Sequence, residues 1–170
     1  KEKYIFTEGS LKDDSKNLQI ILDTAPQIRY PIYIAGNNDE SELKHLPVNV
    51  FFTGPLTPEE RKSWLSKAFI YLLPARYEPF GYTFIDAAFS KCALIGGNIS
   101  SLREIWQEAM IYIRSEEELV YEINDLMENP EELYIWGQKA FEKSHENYRL
   151  EKMIKRYYQL YTKVQAYESA

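Results

Sequence analysis

Cysteine is all but absent. Cys92 stands alone among 170 residues, which excludes an intrachain disulfide and leaves no thiolate cluster for zinc. It lies in the apolar run Cys92-Ala93-Leu94-Ile95, so a place in the core is expected rather than a nucleophilic role. Histidine is nearly as scarce, and His45 and His145 fit no metal-ligand or triad spacing; both are expected at the surface. No apolar stretch approaches the roughly 18 residues that a membrane span needs, and no export signal precedes the first strand, so a cytoplasmic setting is expected. Positive charge is also in deficit. Twenty Lys and Arg face 26 Asp and Glu, giving a net charge of -6, which argues against a broad nucleic-acid or anionic-membrane surface. The Gly-x-Gly-x-x-Gly turn of dinucleotide oxidoreductases is missing as well, since the first glycine turn continues into lysine and acids.

What the chain does have is enough apolar residue, 45% of the total, to bury the core of one domain. Short apolar runs bounded by turn residues predict strands near residues 4–7, 31–36, 48–53, 69–74, 93–95 and 110–113. Helical spacing separates them, as in Leu18, Ile21, Leu22 and Ala25. Thr57-Pro58-Glu59-Glu60 supplies a capping residue, a proline at the first helical position and acids in the first turn. Strand and helix in alternation imply an α/β, Rossmann-like three-layer domain with a parallel sheet of about six strands. Residues 1–114 alternate and 115–170 are mainly helical. In the second part Leu119, Ile123, Leu126 and Met127 form one apolar stripe and Leu133, Trp136, Gly137, Ala140 and Phe141 another. Leu150, Met153, Ile154, Tyr157, Leu160, Tyr161 and Val164 form a third, and all three read as core. The last helix also carries Tyr148, Tyr158 and Tyr167, more aromatic surface than a solvated helix needs, so part of it is expected to cover another domain, with a homodimer contact as the alternative.

Two loops carry candidate chemistry, and in a parallel sheet both follow strands and open on the same edge. The first is Glu8-Gly9-Ser10-Leu11-Lys12-Asp13-Asp14-Ser15-Lys16-Asn17, a glycine turn between strand and helix. The second is Glu78-Pro79-Phe80-Gly81-Tyr82-Thr83-Phe84-Ile85-Asp86, which sets two carboxylates across a helix start. N–H groups of Phe80, Gly81 and Tyr82 are expected to converge on an anion there. A carboxylate accepts hydrogen bonds only and can hold two neighbouring hydroxyls, which suits sugar and ribose. Taken alone, two acids eight residues apart are better read as a solvated loop charge at Glu78 and an ordinary helical residue at Asp86.

Together, in this order, the segments resemble the donor-binding half of retaining glycosyltransferases of the GT-B fold, family 4 (glycosyl transferases group 1). The second segment is similar to the family's Glu-x7-Glu motif, with Asp86 in place of the second glutamate. The first resembles its Gly-Arg-Leu…Lys-Asn loop, with Gly9, Lys16 and Asn17 matching and Ser10 standing where the family has an arginine for the diphosphate. The resemblance implies transfer of a hexose from a nucleoside diphosphate sugar to an acceptor, without metal or other cofactor. Glu78 and Lys16 would be catalytic, and Gly9, Ser10, Lys16, Glu78, Phe80, Gly81, Tyr82 and Asp86 would bind the donor, Asp86 through its ribose. The turns at Gly36-Asn37-Asn38 and Gly54-Pro55-Leu56 would enclose the nucleobase, and Arg103 would approach the phosphates or pair with nearby acids. An acceptor-binding domain would precede Lys1, and this part alone would bind nucleotide but turn over little. Ser10 and Asp86 keep a second possibility open, a transferase-like module that binds or stabilises a partner without catalysing.

Overall fold

β-branched and aromatic runs form the sheet because both of its faces are covered, so the strands need no polar side. The computed structural model describes residues 1–38 and 46–168, with side chains through residue 165. The strands are β1 (Glu2–Glu8), β2 (Ile32–Ala35), β3 (Val50–Gly54), β4 (Ala68–Leu73), β5 (Ala93–Gly97) and β6 (Ile111–Ile113). All pair in parallel, in the order β3-β2-β1-β4-β5-β6. The winding therefore reverses between β1 and β4, and a crevice opens beyond their carboxyl ends.

The helices are α1 (Gln19–Thr24), α2 (Pro58–Lys67), α3 (Tyr82–Phe89), α4 (Ser100–Trp106), α5 (Glu116–Glu128), α6 (Pro130–Asn147) and α7 (Leu150–Glu168). α1 packs with α5, while α2, α3 and α6 pack among themselves on the other face of the sheet. Alternation along β1 sends Tyr4 and Phe6 toward Trp64 of α2, with ring centroids 5.7 and 6.0 Å from it. Cys92 is fully buried, as its apolar run predicts, with its thiol against the carbonyls of Leu65 and Ala68. His145 is exposed and stacks on Phe141; His45 lies outside the described residues.

Three expectations need correction. β3 starts at Val50 rather than residue 48, because the Asn49 amide is turned to the carbonyls of Ala25, Ile28 and Tyr30 and Val48 is left in solvent. The third helical stripe is not core: on α7, Tyr157 is 53% exposed, Leu160 55% and Tyr161 63%, and Leu150, Met153, Ile154 and Val164 are exposed too. The stripes on α5 and α6 are packed as expected, with Leu119, Ile123, Leu126, Met127, Leu133 and Ala140 buried. Tyr148 belongs to the joint between α6 and α7 rather than to the last helix, and its ring meets those of Phe80 and Trp106. The side chain of Tyr167 is outside the described set.

Candidate functional site

The loop after β1 and the loop after β4 meet across the point where the winding reverses, and three sets of bonds sew them together. The Ser15 carbonyl accepts from the N–H groups of Arg76 and Tyr77, at 2.8 and 3.2 Å. The Asn17 amide donates to the Pro74 carbonyl at 3.1 Å, from a backbone held at φ 55°, a region that asparagine tolerates better than most residues. Lys16 Nζ lies 2.6 Å from Glu78 Oε2, and both side chains are largely withdrawn from water, at 27% and 13% exposure. The sequence-separated pair Lys16 and Glu78 thus occupies one spot.

Glu78 is held on every side. Its Oε1 accepts from the Gly81 N–H at 2.9 Å, and its carbonyl accepts from the Ser101 hydroxyl of α4 at 2.7 Å. Gly81 caps α3 at φ 77°, and a Cβ there would lie 2.8 Å from Phe84 Cδ2, so the turn demands glycine twice over. The expected trio of inward N–H groups is corrected in one respect: that of Gly81 is already taken by Glu78. The first turn of α3, at Tyr82 and Thr83, still leaves donors without intrahelical acceptors. Phe80 is half-buried beneath the rings of Tyr82 and Tyr148, 4.8 and 5.7 Å away, while Tyr82 itself is exposed.

In the first loop, the Gly9 N–H bonds the Ala35 carbonyl at 2.8 Å. The neighbouring turn needs glycine for the same close approach, since a Cβ on Gly36 would lie 2.3 Å from the Gly9 carbonyl oxygen. Ser10 is spent on its own turn: its hydroxyl accepts from the Lys12 N–H and its carbonyl from the Asp13 N–H, at 3.3 and 3.1 Å.

Asp86 lies apart from Glu78 and Lys16, on the side of α3 that faces α2. Its carboxylate pairs with the guanidinium of Arg61, which also reaches Glu8 Oε2 at 3.5 Å. Among the described residues Glu8 Oε1 is buried with no hydrogen-bond partner, and burial pushes this carboxyl above its usual range against the opposing pull of Arg61. Glu8 and Arg61, with Gly9, Gly36, Asn37 and Leu56, line a cavity of about 310 Å³. Sequence reasoning singled out neither residue. The available signals were the alternation that puts Glu8 on the buried side with Tyr4 and Phe6, and the one-turn spacing that puts Arg61 on the inward face of α2 with Trp64 and Leu65.

Among the described residues, Arg103 meets neither phosphate-site groups nor acids. It bonds the Asn98 side chain and lies over the Tyr112 ring, 4.4 Å from its centroid. A larger hollow of about 660 Å³ lies between the end of α4 and α6, lined by Trp106, Lys139, Glu142 and Lys143 among others, and neither loop reaches it. We place the candidate site at the sewn loops because a cation, a carboxylate and free helix donors converge there at the carboxyl edge of the sheet.

Residues 2–129 match the family model described as glycosyl transferases group 1. The chain belongs to that family. This glycosyltransferase domain is 28% identical over 160 residues to the O-antigen chain mannosyltransferase C of Escherichia coli, covering 86% of this chain and 43% of that protein. Among solved structures, the sucrose-phosphate synthase of Thermosynechococcus elongatus superposes with a TM-score of 0.83 at 20% identity, over 97% of this chain and 46% of that one. HepE of Anabaena, solved with UDP and glucose, gives 0.80 at 13% identity, over 95% of this chain and 48% of that one. The chain therefore spans less than half the length of these relatives, and its Rossmann-like sheet is of the GT-B type they share. Among the described residues, no helix is long and apolar enough to cross a membrane.

Proposed function

We propose that this chain is the carboxyl-terminal, donor-binding half of a retaining family 4 glycosyltransferase that moves a hexosyl group from a nucleoside diphosphate to an acceptor in the cytoplasm. The observation that carries the reading is the meeting of Lys16 and Glu78 at the switch point, beside the open first turn of α3. Lys16 and the α3 N–H groups would take up the charge that grows on the departing diphosphate, a task they are suited to perform without a metal. Glu78, already aligned by Gly81 and Lys16, would accept sugar hydroxyls and orient the ring. In the step itself the bond from the anomeric carbon to the diphosphate oxygen breaks and one to the acceptor oxygen forms on the same face. The acceptor proton passes to the departing phosphate, so no protein base is assigned.

The acceptor would bind a preceding domain, and the exposed apolar face of α7 is the surface we assign to contact with it. Isothermal titration of the 170-residue chain with UDP, GDP and ADP tests the reading. We expect at least one to bind, and Lys16→Ala to weaken it about ten-fold or more, the loss of a charge-assisted bond, while Glu78→Ala should weaken the matching nucleotide sugar rather than the bare nucleotide. Ser10→Arg should strengthen binding by a similar factor. Absence of heat with every nucleotide would overturn the reading.

One pair of observations favours a second reading, a transferase-like module without catalysis. Ser10 brings no charge to the loop, and Asp86 is held by Arg61. A wild-type chain that binds no nucleotide would support it.

A further inference from the structure

Glu8 is out of place for a residue that only builds the sheet. It ends β1 on the same face as Tyr4 and Phe6, and its side chain is 16% exposed. Arg61 forms an ion pair with one oxygen at 3.5 Å, and the other is buried with no donor among the described residues. An acceptor left in that state destabilises the fold, so the position is poorly explained by stability. It is well explained by a ligand that brings the missing donor. The adjoining cavity, about 310 Å³, is of the size that encloses a small-molecule fragment, and apart from Glu8 and Arg61 it is walled mostly by the turns after β1, β2 and β3.

We propose that Glu8, held by Arg61, is a specificity-determining residue of the donor pocket whose carboxylate accepts a pair of adjacent hydrogen-bond donors from the nucleoside. This rests on the donor-domain reading. A carboxylate has acceptors only, so it matches two neighbouring donors and repels carbonyl oxygens. Within a nucleoside, two groups present such a pair: the N1–H and 2-amino group of guanine, and the ribose 2′,3′-diol. Uracil offers a single N–H flanked by two carbonyls, a poor match. Arg61 has a different part. By holding Glu8 and Asp86 on one guanidinium it fixes the Glu8 carboxylate at the cavity wall and leaves Asp86 less open to the ribose, so Glu8 takes the receiving role that Asp86 was expected to have.

The test is isothermal titration of wild type and Glu8→Gln with GDP, UDP and 2′-deoxy-GDP, with melting curves as the folding check. Glutamine keeps the shape and removes the charge. We expect Glu8→Gln to bind GDP about ten-fold more weakly while remaining folded. If Glu8 reads guanine, 2′-deoxy-GDP weakens equally and UDP is untouched. If it reads the ribose, GDP and UDP both weaken and 2′-deoxy-GDP is spared. Unchanged affinities, with Lys16→Ala still impaired, would overturn the role of Glu8 and leave the donor domain standing. Equal loss for all three nucleotides would also overturn it, as the mark of a residue that merely supports the pocket. A wild-type chain that binds none of them removes the donor-domain reading and this one together.

Discussion

Tyr4 and Phe6 set a pattern that Glu8 breaks, and the break has a measurable effect even without ligand. Burial raises the Glu8 carboxyl above its ordinary range, so the folded state favours the neutral acid more than the unfolded chain does. Below the usual carboxylate range both states are protonated and nothing is lost. As pH climbs from the usual carboxylate range through the raised value, the folded protein must take on a poorly hydrated charge and stability falls relative to a neutral side chain, the loss being complete above it. Glu8→Gln should therefore match wild type in acid and gain on it as pH rises toward neutrality. Thermal unfolding of both proteins across that range checks this, and a gap that does not vary with pH would refute it. Lys16 and Glu78 show the opposite economy, since each satisfies the other before any substrate arrives.

At the level of elements, α3 depends on one conformation at its capping residue. Gly81 at φ 77° turns its N–H to Glu78 and starts the helix, and alanine would add both backbone strain and a clash with Phe84. Gly81→Ala should destabilise the fold by about 1–3 kcal/mol in denaturant titration and impair nucleotide binding as well. A variant as stable as wild type would show that the turn relaxes at no cost. This turn was legible in the sequence because Pro-Phe-Gly before a helical apolar pattern is a local signal. So were the six strands and the capped start of α2, where the Thr57 hydroxyl and the Glu60 carboxylate each bond the other's backbone N–H. The Glu8–Arg61–Asp86 chain was not legible. Its members come from β1, α2 and α3, and only packing against the sheet brings them together. Val48 and Tyr148 were misassigned for a related reason: propensity extended an element past the point where the Asn49 side chain or a helix joint ends it.

For the molecule as a whole, α7 stands outside the core. A chain ended after Tyr148 keeps the sheet, both helical layers and the Phe80–Tyr148 contact. Because the apolar residues of α7 are already in water, its removal should leave the melting midpoint within about 2 °C of the full chain. A large fall in calorimetry would mean that the helix docks in solution. The periodicity of α7 could not reveal its exposure, since an amphipathic stripe has the same spacing whether it faces this core or another surface.

The bonds from Ser15 and Asn17 to the strand β4 exit have a mechanical consequence. Because the carrier of Lys16 and the carrier of Glu78 are fastened to each other, neither can swing over a substrate like a flap. A nucleotide sugar held by this pair would therefore meet a preset cradle, and any opening and shutting would have to come from somewhere other than these two loops.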